Sequence, residues 1–164
     1  RLMMNADSIE KFYRLYSKDV YIYTFSLCKN EQLAEDIMQE AFLKGILSLD
    51  DNHENVKAWL FMVCRNLWID YIRKNEKLSK IDINEIEVED CNSNILKKLV
   101  NNEESLNLYN KIITLPQSMK EALILYYYLE VPQQKIAQIM NISNGAVRTL
   151  IYRARKNLKM KMEE

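Results

Sequence analysis

Glycine and proline are scarce in this sequence, with two of each among 164 residues. Tight turns depend on these residues, so their scarcity argues against folds built from many short strands and hairpins. Leucine, isoleucine, lysine and glutamate are abundant instead. This composition predicts an all-α protein with few tight turns.

Long apolar runs are also missing. The sequence has no stretch of the ~18 apolar residues that a membrane-spanning helix needs, and no charged-then-apolar leader. We therefore expect no membrane insertion and a soluble protein located in the cytoplasm.

Residues that ligate metals or act as nucleophiles are few. Cys28, Cys64 and Cys91 are odd in number and far apart, which favours free thiols packed as small apolar side chains. His53 is the sole histidine, and it lacks both a cysteine pair for zinc and a serine or cysteine partner for catalysis. Since there is also no glycine-rich phosphate loop, we expect no metal, no cofactor, no small-molecule substrate and no enzymatic activity.

The net charge is zero, but the charges are unevenly distributed along the chain. Residues 81–106 hold two basic and seven acidic groups, whereas residues 107–164 hold nine basic and four acidic groups. A basic C-terminal module behind an acidic connector is typical of a DNA-binding domain on a tether.

Apolar residues recur at helical spacing in three segments of the first half. They predict helices from about Asp7 to Cys28, from an Asn30 cap to about Leu47, and from Val56 to about Asn75. The predicted core stripe of the third helix is Val56, Trp59, Leu60, Val63, Leu67 and Tyr71. The second helix has a polar side flanked by apolar groups, namely Glu35, Asp36, Gln39 and Glu40 beside Met38, Phe42 and Leu43.

Residues 133–150 have the pattern of a helix-turn-helix, preceded by Pro132 at the predicted first helical position. Asn141 tolerates positive φ at the corner, and Ser143 or Asn144 can cap the second helix. Val147 and Leu150 are predicted to pack inward. From residue 144 to residue 161 every charged side chain is basic, which suits contact with phosphates.

Helical periodicity is lost between Leu78 and Asn102, apart from a weak helical turn predicted around Ile95 to Val100. The predicted organisation is therefore a domain over 1–78, a flexible acidic linker over 79–102 and a second domain over 103–164. The fold class that follows is all-α, with an N-terminal helical bundle and a C-terminal helix-turn-helix domain.

Three stretches together resemble the bacterial RNA polymerase sigma factors of the extracytoplasmic-function (ECF) type, in the sigma-70 family. Residues 34–44, AEDIMQEAFLK, are similar to the family's polymerase-clamp-binding helix. Residues 58–73, AWLFMVCRNLWIDYIR, are similar to its helix for the promoter −10 element. The third stretch, from Leu115-Pro116 to Tyr152-Arg153-Ala154-Arg155, is similar to its −35-reading domain.

The resemblance implies a sigma factor, with core RNA polymerase and promoter DNA as partners. Asp36, Gln39, Glu40 and Leu43 match the surface that docks on the coiled coil of the largest subunit, and the flap region of the polymerase is a further implied contact. Many family members are held inactive by an anti-sigma factor, which the resemblance adds as a candidate partner.

For the −10 element, the resemblance implies contacts from the loop and from the third helix. Asp50, Asn52 and His53 belong to the loop that captures a flipped base, and Trp59 matches an aromatic that stacks where duplex becomes single strand. Trp59 also fits the core stripe, so burial is an equal alternative. The remaining implied contacts on this helix are Arg65, Asn66, Arg73 and Lys74. Trp68 departs from the family pattern, and it could lie in the core or face DNA.

For the −35 element, the implied contacts lie on the recognition helix: Asn144, Ala146, Arg148, Thr149, Tyr152, Arg153, Arg155 and Lys156. Arg148 is the best candidate for a bidentate contact with guanine. For Arg155, Lys156 and Lys159 we favour contact with the DNA phosphate backbone. The alternative is a simply soluble helix end, because cations also suit the C-terminal end of a helix.

Two other functions fit part of the sequence. A stand-alone helix-turn-helix regulator would explain residues 117–161, but it would leave the polar side of the second helix and the Asn66/Arg73 face without a role. A purely protein-binding helical adaptor would leave the basic recognition helix unexplained.

Overall fold

The computed structural model describes residues 5–49, 55–79, 94–100 and 102–163. Every regular element in these ranges is helical, which confirms the predicted all-α class. The chain forms two compact units, Arg1–Cys91 and Asn92–Glu164. Among the described helices, none is both long and apolar enough to cross a membrane.

The first unit contains the three predicted helices: α1 (Ala6–Cys28), α2 (Glu31–Ser48) and α3 (Val56–Ser79). Asn5 caps α1, and its side-chain Oδ1 accepts a hydrogen bond from the Ser8 N–H at 2.8 Å. Asn30 caps α2 as predicted, because its Oδ1 accepts from the Leu33 N–H at 2.9 Å.

The core of the first unit lies around the C-terminal third of α1, where every residue from Val20 to Leu27 is buried. On α3 the buried residues are Leu60, Phe61 and Cys64. The predicted core stripe of α3 is therefore wrong in most of its members. Val56, Trp59, Val63 and Leu67 are only half-buried, and Tyr71 is exposed.

The second helix corrects a further prediction. Met38 and Phe42 were expected on the surface beside the acids, but both are buried with Ala34, Ile37 and Ala41. The ring of Phe42 packs edge-on against Phe12 of α1, with centroids 5.1 Å apart. Of the apolar groups predicted to flank the polar side, only Leu43 is exposed.

The second unit comprises five helices: α4 (Asn94–Leu99), α5 (Glu103–Ile112), α6 (Gln117–Leu123), α7 (Gln133–Met140) and α8 (Asn144–Met162). A π-helical turn, Ile124–Tyr128, continues α6. In this turn the Leu129 N–H donates to the Ile124 carbonyl, five residues earlier, at 2.9 Å. Sequence periodicity predicted one helix from Gln117 to Leu129 and did not reveal the change of winding.

The weak helical turn predicted around Ile95 to Val100 corresponds to α4, in which Leu96 is fully buried. The second compact unit thus starts upstream of Glu103. Most of the predicted linker lies outside the described residues, and the domain limits 1–78, 79–102 and 103–164 remain predictions. Pro132 is the N-cap of α7 rather than its first helical residue.

Candidate nucleic-acid and protein-binding surfaces

The exposed face of α2 carries the predicted protein-binding residues Asp36, Gln39, Glu40 and Leu43. We call these four residues the α2 outer face. The side-chain amide of Gln32, one turn before Asp36 on the same helix, donates a hydrogen bond to Asp36 Oδ1 at 3.0 Å. Leu47 is exposed to the same degree as Leu43, although the sequence analysis did not single it out.

Trp59 and Asn66 share the outward side of α3, because they are seven residues, or two turns, apart. Asn66 is exposed, whereas Trp59 is half-buried. Trp68 follows buried Phe61 by seven residues and therefore lies on the inner side, where it is half-buried. The two tryptophans thus occupy opposite sides of the helix.

The basic residues predicted near Asn66 are unequally exposed. Arg73 and Lys74 are exposed, whereas Arg65 is half-buried. Arg73 lies 3.9 Å from Asp70 in an ion pair whose side chains are mostly solvent-accessible, so the pair restrains the guanidinium little. The predicted loop residues Asp50, Asn52 and His53 lie outside the described residues.

The corner between α7 and α8 has the predicted geometry. Asn141 adopts the left-handed conformation, with φ 56° and ψ 50°. Ser143, one of the two predicted caps, accepts a hydrogen bond from the Ala146 N–H at 3.1 Å. Val147 is buried as predicted, but Leu150 is only half-buried and Ile151 takes the inward position.

Seven of the predicted −35 residues are exposed along α8, and Ala146 is half-buried. The Thr149 hydroxyl donates a hydrogen bond to the Gly145 carbonyl at 3.1 Å. The Lys156 ammonium lies 4.7 Å from the centroid of the Tyr152 ring. Gly145, Arg148, Thr149, Tyr152 and Lys156 are spaced three or four residues apart and form one face, which we call the recognition face.

Arg155 departs from this arrangement. Its guanidinium lies 4.7 Å from the centroid of the Tyr127 ring, in the π-helical turn. Arg155 follows Arg148 by seven residues, so the two start from nearly the same side of α8. The contact with Tyr127, and not its position on the helix, is therefore what distinguishes Arg155 from the recognition face.

Beside Arg155 is a groove of about 230 Å³. Its apolar lining comes from α5, α6, the π-helical turn and α8, and two cations stand among the lining residues: Leu108, Ile112, Leu123, Tyr127, Arg155, Leu158, Lys159 and Met162. No sequence motif indicated this groove, since its residues are scattered over four elements.

The thiols have no evident part in these surfaces. Neither Cys28 nor Cys64 forms a disulfide, and burial raises the pKa of the Cys64 thiol to about 12. Within the described residues, no group of three or more histidine, cysteine, aspartate or glutamate side chains is placed to hold a metal ion.

Two family descriptions match this chain. "Sigma-70 region 2" matches residues 12–78, and "Sigma-70, region 4" matches residues 105–158. The ECF RNA polymerase sigma factor SigM of Bacillus subtilis is 34% identical over 154 residues, covering 93% of this chain and 93% of that protein. The ECF RNA polymerase sigma factor SigW of the same organism is 30% identical over 171 residues, covering 98% and 91%.

Solved structures share the fold. The sigma factor RpoE, in complex with the anti-sigma factor NepR from Bartonella quintana, superposes with a TM-score of 0.70 at 20% identity, covering 94% of this chain and 96% of that one. CnrH in complex with the cytosolic domain of CnrY has a TM-score of 0.65 at 19% identity, covering 97% and 90%.

The chain therefore belongs to the ECF sigma factors of the sigma-70 family. It is a regulatory subunit that binds core RNA polymerase and directs it to promoters. Because a sigma-70 region 2 occupies the first half, the stand-alone helix-turn-helix regulator is not favoured.

Proposed function

We propose that the α2 outer face binds the coiled coil of the polymerase's largest subunit. The supporting observation is that Asp36, Gln39, Glu40 and Leu43 are exposed together on a helix whose opposite face is buried. Acids beside a leucine suit a partner helix that carries arginines. The leucine excludes water when the surfaces meet, and a charge-assisted hydrogen bond is stronger where water is excluded.

A binding assay with core polymerase tests this assignment. The Asp36→Arg, Glu40→Arg variant should bind at least about a hundredfold more weakly, because like charges facing each other in an interface cost several kcal/mol. The matched control is Asp7→Arg, Glu10→Arg, which makes the same charge change on exposed positions of α1. If both variants bind as the wild type does, this surface is not the contact.

The outward side of α3 is proposed to contact the −10 element. Asn66 offers an amide that can pair bidentately with adenine, and Arg65, Arg73 and Lys74 offer charges to the neighbouring phosphates. Trp59 lies on the same side of α3 as exposed Asn66, and this position supports a DNA role in which a base stacks on the indole. Asp50, Asn52 and His53 remain the proposed residues for capture of a flipped base.

Promoter melting on this surface needs no covalent chemistry. Unstacking one base costs a few kcal/mol, and stacking on an aromatic side chain returns roughly 1–3 kcal/mol per base. Bases held by the first domain therefore offset the stacking that they lose in the duplex. The first domain acts in this way on promoter DNA that the assembled enzyme has already bound.

The recognition face of α8 is proposed to read the −35 element in the major groove. The first two turns of a recognition helix usually reach base edges. In α8 these turns hold Asn144, Ala146, Arg148 and Thr149. Tyr152, Arg153 and Lys156 follow, at positions that usually contact the backbone. We assign Arg155 a lesser part in DNA binding than the sequence predicted, since its guanidinium already packs on Tyr127.

The groove beside Arg155 is the proposed contact for the flap region of the polymerase. Its apolar lining can take one or two large side chains, and Arg155 and Lys159 can pair with acids at the edge of the inserted segment. The sigma factor RpoE, which shares this fold, was solved in complex with the anti-sigma factor NepR, so we also propose an anti-sigma partner for this chain. The proposed place of action is the cytoplasm, where the polymerase is.

A further inference from the structure

Leu47 is an exposed leucine that no part of the proposed function has used. Its exposed fraction is 55%, nearly that of Leu43 at 56%. It follows Leu43 by four residues and Asp36 by eleven. Eleven residues are three turns of an α-helix to within about 20°, so Leu47 lies almost directly in line with Asp36, roughly 16 Å along the axis.

The α2 outer face, continued to Leu47, is consequently divided along its length. Asp36, Gln39 and Glu40 make its first part polar and acidic. Leu43 and Leu47 make its last part apolar, and Gly45 between them faces the core. Two exposed leucines one turn apart form a continuous apolar ridge, whereas single exposed leucines are common on protein surfaces.

We propose that Leu47 is a contact residue for core polymerase and that it extends the binding surface by one turn beyond Leu43. This inference rests on the proposed function of the α2 outer face. The occupant is a segment of the polymerase that carries basic residues opposite Asp36 and Glu40 and apolar residues opposite Leu43 and Leu47. Acids at one end and leucines at the other also fix the direction of that segment, because reversal would set its basic groups over the leucines.

Affinity measurements with core polymerase and the full-length chain test the inference. Leu47→Ala should weaken binding about five- to tenfold, as truncation of a buried interface leucine does. The control is Leu15→Ala, which truncates a leucine of similar exposure, 60%, on α1 and should bind within twofold of the wild type. Unfolding followed by tryptophan fluorescence verifies that both variants keep a folded first domain.

Equal affinities for the Leu47→Ala and Leu15→Ala variants would overturn the inference. The Asp36→Arg, Glu40→Arg variant, measured in parallel, separates this failure from that of the proposed function. If the charge variant loses binding and Leu47→Ala does not, the surface stands and its extension is wrong. If the charge variant binds normally, the proposed surface fails, and its extension to Leu47 fails with it.

Discussion

Gly45 lies where α2 packs against Phe12 of α1. A Cβ atom built at this position would lie 2.9 Å from Cζ of Phe12. Phe12 cannot move aside easily, because its ring also packs against Phe42 and Tyr16, with centroids 5.1 and 5.7 Å away. Glycine is thus needed here for space, and its conformational freedom is not used.

We expect Gly45→Ala to destabilise the first domain. Overpacking costs about 1–3 kcal/mol, while alanine recovers up to about 1 kcal/mol of helix propensity. The net loss should be roughly 1 kcal/mol. Both tryptophans, Trp59 and Trp68, belong to this domain, so denaturation followed by tryptophan fluorescence reports on it selectively.

Gly145→Ala is the matched control for that experiment. Its added Cβ would lie no closer than 3.7 Å to any other group, the nearest being Nη2 of Arg148. It also lies in the second domain, and the fluorescence transition should not shift. If Gly45→Ala leaves the transition unchanged as well, the packing argument is wrong.

Trp59 provides a second prediction at the residue scale. Trp59→Ala should reduce the fraction of open promoter complexes about tenfold, because base–aromatic stacking is worth roughly 1–3 kcal/mol. Trp59→Phe keeps a ring in place and should recover much of the loss. Permanganate reactivity of thymines in the −10 region measures strand opening. Full opening by the alanine variant, with core binding intact, would show that the indole does not hold the melted strand.

At the scale of the element, α8 has two duties on adjacent parts of its surface. The recognition face bears Arg148, Tyr152 and Lys156, while Arg155 and Leu158 line the groove beside α5 and the π-helical turn. Lys159 lies near the boundary between the recognition face and the groove. A helix whose charges are all basic can therefore serve DNA and protein partners at once, provided that side chains such as Tyr127 hold some of its cations away from the DNA.

This division predicts different effects for two arginines of the same helix. Arg148→Ala should relax selectivity at one position of the −35 element by about 1–3 kcal/mol. Arg155→Ala should leave selectivity unchanged and should destabilise the second domain by about 0.5–1 kcal/mol, the worth of an exposed cation–π contact. Holoenzyme binding to −35 variants, together with thermal unfolding, measures both effects. A loss of selectivity with Arg155→Ala would contradict the assignment.

Sequence periodicity predicted the existence of the main helices because their apolar spacing and caps are strong signals. It misplaced the core of α3, since Trp59, Leu60 and Phe61 are consecutive and an apolar run of this kind does not specify which side is buried. The helix-turn-helix corner was predictable at Asn141, because few residues other than glycine tolerate the left-handed conformation. The sequence narrowed the cap to Ser143 or Asn144, since few side chains can accept a hydrogen bond at a helix N-terminus.

Features assembled from distant segments were beyond that reasoning. The groove near Tyr127 draws residues from positions 108 to 162, and no local pattern connects them. The contact of Arg155 with Tyr127 likewise depends on how α8 packs against the π-helical turn. A basic residue in a basic segment looks the same in sequence whether it faces phosphate or a neighbouring ring.

For the whole molecule, the uneven distribution of charge sets how the chain meets DNA. Residues 144–161 hold six basic groups, whereas the net charge of the whole chain is zero. A sigma factor of this kind brings few phosphate contacts of its own. Core polymerase must then supply much of the affinity for a promoter.

We accordingly expect the isolated protein to bind a −35 duplex weakly and with strong salt dependence. With about six phosphate contacts, the logarithm of the binding constant should fall with the logarithm of salt concentration with a slope near −5. Fluorescence anisotropy at several salt concentrations measures this slope. Tight binding at physiological salt, or a slope near zero, would be inconsistent with the expectation.

The π-helical turn Ile124–Tyr128 has a consequence for how the length of this chain can vary. It holds one residue more than an α-helical turn would, so a one-residue deletion there can be absorbed by rewinding. The same deletion inside α7 would rotate every later side chain by about 100° and carry Ile136 out of the core. Related chains one residue shorter at this point can therefore keep the same helix-turn-helix, and gaps between their sequences should gather in the π-helical turn rather than in the helices that follow it.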